Sequence, residues 1–233
     1  RSTGVGYATP PADTGLPTAR CLILVTPDAE RTMNTYLGVA GELGPSDIDE
    51  ALVASAAITY VEGYLVGLPS AEAALARAAD TAHRAGRRLA LTLSDPLWAQ
   101  LQHDAFVDLL PTVDILLGNE AEALEVTGER DLDAALARLA KTSAVVAITR
   151  GAAGAVATDG TDTVSVEAEP VAELEDTTGA GDLFAAGFLL GQARKRPLTD
   201  CLRLGALAAA EVLSHTGARP QKSLAALAAA RGL

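Results

Sequence analysis

Short apolar runs rich in branched residues alternate along this chain with longer stretches in which apolar positions recur three or four residues apart. The runs at Cys21 to Thr26, Ala57 to Val61, Leu89 to Leu93, Val113 to Leu117 and Val145 to Thr149 have strand length and strand composition. Thr32 to Val39 is a partner for the first of them, and Ala155 to Thr158 pairs with Thr163 to Glu167 as a late hairpin. Helices are predicted from a capped, acidic start at Ser46-Asp47-Ile48-Asp49, from Pro69-Ser70 to near Gly86, over Leu97 to Leu109, from Glu120, and over Leu132 to Lys141. Three more follow at Leu183 to Arg194, Thr199 to His215 and Ser223 to Arg231. Strands separated by amphipathic helices predict an α/β fold, with a mostly parallel sheet covered on both faces and right-handed crossovers. No internal repeat or linker divides the chain, so residues 1–233 read as one domain.

In open α/β sheets, ligands bind beyond the carboxyl ends of the strands. Asn119 follows one predicted strand, and Arg150-Gly151 follows another. Ser94-Asp95-Pro96 also follows a strand, bordering the same crevice or making a plain turn. The most informative segment is Asp176-Thr177-Thr178-Gly179-Ala180-Gly181-Asp182, where a loop becomes an apolar helix. The first N–H groups of a helix lack intrahelical partners and lie at the positive end of its dipole. The amides of Gly179, Ala180, Gly181 and Asp182 are therefore a candidate anion cradle. A carboxylate beside that cradle would repel a resting phosphate, so Asp182 suits the role of base for an attacking hydroxyl. Two other readings compete. Asp182 could simply cap its helix. A dinucleotide-binding turn is disfavoured because Phe184 stands where that motif needs its third glycine, and no Walker A loop occurs.

The string DTTGAGD and the helix after it resemble the signature of the PfkB, or ribokinase-like, carbohydrate and nucleoside kinases. Asn119-Glu120-Ala121-Glu122 fits that family's N-x-x-E, and Thr149 to Gly154 fits its T-x-G-x-x-G. Thr26-Pro27-Asp28-Ala29-Glu30-Arg31-Thr32-Met33-Asn34-Thr35 is similar to the lid-to-core segment of adenosine-kinase-like members, and His215 to Pro220 to their C-terminal nucleotide-side loop. The resemblance implies a three-layer α/β/α fold with a partial β lid, whose residual strands fall within residues 18–40. It implies an ATP-dependent kinase acting on a hydroxymethyl group of a sugar or nucleoside, with adenosine first.

It also assigns roles. Asp182 is the base, Gly179 to Gly181 form the anion hole, and Arg31 pairs with the transferring phosphate. Asn119, Thr149, Arg150, Gly151 and Gly154 contact the nucleotide phosphates or shape their turn, and His215 and Gly217 lie on the adenine side. Glu122 holds the water shell of Mg²⁺, while Asp176 and the Thr178 carbonyl help to bind a monovalent cation such as K⁺. Each has a plainer counterpart: surface charge for the arginines and for Glu122, a hydrogen-bonded turn for Asp176, a helix-end charge partner for His215. The family's opening strand with its Gly-Asp pair, its first lid strands and its G-G-x-x-x-N segment find no match, so the chain reads as the C-terminal part of a larger kinase. That leaves a nucleotide-binding module without catalysis as the main alternative, with a dinucleotide-dependent oxidoreductase behind it. An exposed lid edge would suit a homodimer.

Composition narrows the setting. Nearly half of the 233 residues are apolar, enough for a substantial core. No uncharged apolar run nears the roughly 18 to 20 residues that cross a bilayer, and a signal-peptide pattern is absent, so a soluble cytoplasmic protein without a membrane partner is expected. Cys21 and Cys201 stand far apart with no metal-ligand spacing and read as packing residues. The net charge of -12 opposes nucleic-acid binding and equally opposes ATP, unless Mg²⁺, helix N-termini and a few arginines focus positive charge locally. Tyr7, Tyr36, Tyr60 and Tyr64 are the tyrosines available to stack on a purine.

Overall fold

The computed structural model describes residues 4–26 and 31–233. Its first regular unit is a hairpin in which β1 (Arg20–Val25) pairs antiparallel with β2 (Arg31–Tyr36), Arg20 opposite Tyr36 and Val25 opposite Arg31. Every residue of both strands is exposed, so the hairpin stands clear of the core. Pro27, Asp28, Ala29 and Glu30 of the lid-to-core segment lie outside the described residues. The second strand stops at Tyr36, short of the expected Val39, because the chain there enters a 3-10 turn at Gly38–Glu42.

After α1 (Glu50–Ser55), three crossover units follow. These are β3 (Ile58–Glu62), α2 (Pro69–Arg84), β4 (Arg88–Thr92), α3 (Pro96–Leu101), α4 (His103–Leu109), β5 (Ile115–Asn119), α5 (Glu120–Thr127), α6 (Leu132–Leu139) and β6 (Val145–Thr149). Then β7 (Ala155–Thr158) and β8 (Thr163–Val166) extend the sheet antiparallel, before α7 (Ala180–Ala193), α8 (Leu198–Val212) and α9 (Leu224–Ala230).

The six strands of the central sheet lie in chain order, β3 to β6 mutually parallel. A sequential order with crossovers of one hand sends α2 to α6 to the same face. Side-chain alternation does the rest. Leu89, Leu91, Leu116, Val146 and Ile148 face those helices, meeting Leu75, Phe106, Val126 and Leu139. Ala90, Ile115, Leu117 and Ala147 face the opposite way and are covered by Phe184 and Phe188 of α7 and Leu202 of α8. The result is the expected three-layer α/β/α arrangement. Among the described residues no helix is long and apolar enough to cross a membrane.

Several boundaries differ from the sequence reading for local reasons. Ser46 sits in a 3-10 turn, and α1 begins only after Asp49, whose carboxylate accepts the Leu52 N–H at 3.0 Å. The helix expected over Leu97 to Leu109 is broken at Gln102 (φ -112°, ψ 26°), which ends α3 and starts α4. The break serves two anchors: Trp98 donates its Nε1–H to the carbonyls of Gly63 and Val66, while Phe106 is fully buried in the core. The third parallel strand of the central sheet runs two residues beyond its apolar stretch, to Asn119.

Candidate active site

The loop from Asp176 to Gly181 is built from its own short-range hydrogen bonds. Asp176, 3% exposed, accepts the Thr178 N–H at 2.8 Å on one carboxylate oxygen and the Gly217 N–H at 3.0 Å on the other. Gly179 then takes the left-handed conformation (φ 84°, ψ 0°) and caps α7. A side chain there would be strained and would also strike Ala218, whose Cβ lies 2.7 Å from the ideal Cβ position. The helix therefore starts at Ala180, three residues before the expected Leu183, and Asp182 stands inside its first turn instead of capping it.

This start decides which amides are free. Ala180 donates weakly to the Thr177 carbonyl at 3.3 Å, and Leu183 donates to Gly179 at 2.9 Å. The N–H groups of Gly179, Gly181 and Asp182 meet no acceptor among the described residues. Asp182 is exposed, and it lines a polar cleft of about 360 Å³. From across that cleft Arg31, the first residue of β2, reaches the loop and donates from Nη1 to Thr177 Oγ1.

Opposite the loop, the end of β5 supplies a second charged element. Asn119 caps α5 through a reciprocal pair: its Oδ1 accepts the Glu122 N–H at 2.9 Å, and Glu122 accepts the Asn119 N–H at 2.9 Å. The Asn119 amide adds a bond to the other Glu122 oxygen at 2.7 Å. Glu122 is 5% exposed, and burial pushes its carboxyl up to about 7, with the Asn119 N–H opposing and Asp95 adding to the rise. It keeps one face on the polar cleft.

On the other side of the loop lies a larger, mostly apolar cavity of about 620 Å³, walled by Gly151, Val171, Leu174, Ala206 and Leu213 among others. Thr149, Thr177, Ala180, Gly181 and Phe184 line both spaces. The glycine turn is thus the partition between an apolar chamber and an acidic one.

Residues 1–224 match the pattern of the pfkB family of carbohydrate kinases. The chain belongs to that family. A crystal structure of adenosine kinase from Sinorhizobium meliloti is similar over 99% of this chain, with 45% identity and a TM-score of 0.94, and the chain covers 71% of it. A cytidine kinase of Thermococcus kodakarensis is 40% identical over 119 residues, which is 50% of this chain and 42% of that protein. An adenosine kinase of Saccharomyces cerevisiae is 28% identical over 214 residues, 86% of this chain and 62% of that protein. The chain therefore spans less than two thirds of the length of each of these two curated relatives.

In this pfkB-family chain the motif residues do not all converge. Asp182, Gly179, Ala180, Gly181, Arg31, Asn119, Glu122, Thr149 and Thr178 line the polar cleft, and Gly151 and Gly154 line the apolar cavity. Arg150 lines neither; it is held at the rim by Glu120, Nε to Oε2 at 3.4 Å. The His215 ring, expected on the adenine side, faces Glu211 (Nε2 to Oε2, 3.4 Å) and lines neither space. Gly217 reaches the site only through Asp176. The oxidoreductase alternative falls with the family, and Phe184, 4% exposed, is a packing residue stacked near Phe188 at 6.1 Å.

Sequence reasoning passed over Glu62 and Thr92, which end β3 and β4 on the polar cleft; strand-end position, the signal used for Asn119, would have found both. Burial and the nearby Asp182 carboxylate raise the Glu62 carboxyl. Tyr64, one of the four tyrosines, lines this cleft as well. Ser94 does too, held at φ 73° with its Oγ accepting the Gly63 N–H at 2.9 Å, whereas Asp95 caps α3 and does not line the cleft.

The fit to ions can be read from these donors. Among the described residues no three carboxylate, histidine or cysteine side chains cluster to hold a metal directly. Glu122, buried but lining the same cleft as the free amides, suits Mg²⁺ bound through water and phosphate oxygens. Each oxygen of Asp176 accepts one backbone N–H group, which leaves a lone pair on each for a cation.

Proposed function

We propose that this chain, or a longer protein containing it, transfers the terminal phosphoryl group of ATP to a hydroxymethyl group of a nucleoside or sugar, adenosine being the favoured acceptor. One observation carries the reading: an exposed carboxylate, Asp182, stands on a helix start with free amides that divides an apolar cavity from a polar cleft. The apolar cavity takes the adenine nucleoside of ATP and directs its phosphates to the glycine turn. The acceptor enters the polar cleft. Asp182 takes the hydroxyl proton as the new O–P bond forms, and the old O–P bond breaks to leave ADP. The amides of Gly179, Gly181 and Asp182 meet the charge that spreads over the transferring oxygens, at about 3 to 4 kcal/mol per well-aimed donor. Arg31 adds a planar cation from the opposite wall. Mg²⁺, when bound, neutralises phosphate charge, and Asn119 and Glu122 would hold its water shell. Adenosine is favoured because the Sinorhizobium meliloti relative is an adenosine kinase and Tyr64 offers a ring to a purine.

ATP turnover against adenosine, cytidine, ribose and fructose tests the proposal. Asp182→Asn is expected to lower transfer about 10²- to 10⁴-fold while leaving ATP bound; undiminished transfer by that variant rejects the assigned base. A second reading, nucleotide binding without transfer, draws on the wholly exposed hairpin, which lends the cleft only Arg31 and Met33 among the described residues. Calorimetry that finds ATP binding with no transfer to any acceptor would favour it.

A further inference from the structure

Glu211 is a buried carboxylate in the last turn of α8 with no part in the chemistry above. It is 6% exposed and its oxygens are all engaged: Oε1 accepts the N–H groups of Gln221 and Lys222 at 3.0 and 2.9 Å, and Oε2 faces His215. Burial pushes this carboxyl up, yet the Lys222 N–H, His215 and the Gln221 N–H outweigh it and leave it below the ordinary glutamate value. A charge buried this way demands that its donors stay in place. It therefore ties down both ends of the stretch 215–222.

The middle of that stretch is what touches the glycine turn. Gly217 donates to Asp176, whose other oxygen holds Thr178, and Ala218 occupies the space beside Gly179. A further backbone bond, Glu175 N–H to the Leu213 carbonyl at 3.0 Å, joins the two segments. No residue of 214–222 lines either cavity, so this stretch acts on the site only from behind.

We propose that Glu211 is a positioning residue for the phosphate cradle: by clamping 215–222 it holds Gly179 left-handed and keeps the amides of Gly179, Gly181 and Asp182 aimed into the cleft. This rests on the phosphoryl-transfer reading for its catalytic consequence. The Glu211→Ala and Glu211→Gln variants test it through kinetics and through amide hydrogen exchange, with β4 as the internal control.

In Glu211→Ala, kcat falls about 10- to 100-fold, since small misplacements of aligned groups are costly, while KM for the acceptor stays within about twofold. Exchange at the bonded amides of Thr178, Ala180 and Leu183 within 176–183 speeds up about tenfold with β4 unchanged. Glu211→Gln keeps a carbonyl for Gln221 and Lys222 and recovers most of kcat. Unaltered kcat in folded Glu211→Ala, or faster exchange confined to 214–222, overturns the proposal. Should that variant not fold, Glu211→Asp, which draws the carboxylate back by one methylene from Gln221 and Lys222, takes its place, and unchanged exchange at 176–183 there is equally fatal. If the unaltered protein transfers phosphate to no acceptor, the transfer reading fails while the exchange measurements still decide the clamp.

Discussion

At the scale of single residues, the site buries carboxyl groups where water cannot stabilise their charge. Glu122 is the sharpest case. Its carboxyl rises from 4.5 to about 7 on folding, so the stability it allows is complete below pH 4.5 and lost as pH rises through 7. From this group alone the loss is about 3 kcal/mol. Thermal melts between pH 5 and 8 check this: Glu122→Gln, which removes the titration and keeps one acceptor for the two Asn119 donors, should flatten the decline. An equal slope in both proteins would remove Glu122 as its source. Asp182 was legible in the sequence because its motif neighbours it directly in the chain. Glu211 was not, because an acidic residue on an alanine-rich helix gives no sign that Gln221 and Lys222 fold back to meet it.

At the scale of elements, the contact between α7 and α8 sets the direction in which the glycine turn points. Gly187 lets the helices approach so closely that a Cβ there would lie 2.4 Å from the Leu204 carbonyl oxygen. Gly187→Ala is expected to destabilise the protein by about 1 to 3 kcal/mol through overpacking, read as a lower melting temperature, and to slow transfer by shifting the start of α7. An unchanged melting temperature would show that the two helices yield without cost. Apolar spacing located α7 but misplaced its start, since glycine at 179 and 181 carries no periodicity, and only the packing of Ala218 explains why the helix begins there.

At the scale of the whole molecule, a net charge of -12 and an acidic cleft oppose the approach of a polyphosphate. Glu62, Glu122 and Asp182 share that cleft with Arg31. Removing divalent ions with EDTA should therefore abolish transfer and weaken ATP binding, and added Mg²⁺ should restore both. Full turnover in excess EDTA would exclude the role given to Glu122 and Asn119.

What the amino-acid order determined by itself was everything that depends on neighbours along the chain. The alternation of apolar runs and amphipathic stretches implied the layered sheet, and the contiguous motifs implied the glycine turn with its carboxylate, because period and local backbone chemistry are short-range properties. Only the tertiary structure decided which of those residues face one another. It brought Arg31 to Thr177 across 146 positions, set Glu62 beside Asp182, and turned His215 toward Glu211. Such pairings follow from strand register and helix packing, where burial and charge are balanced between segments that no local pattern connects.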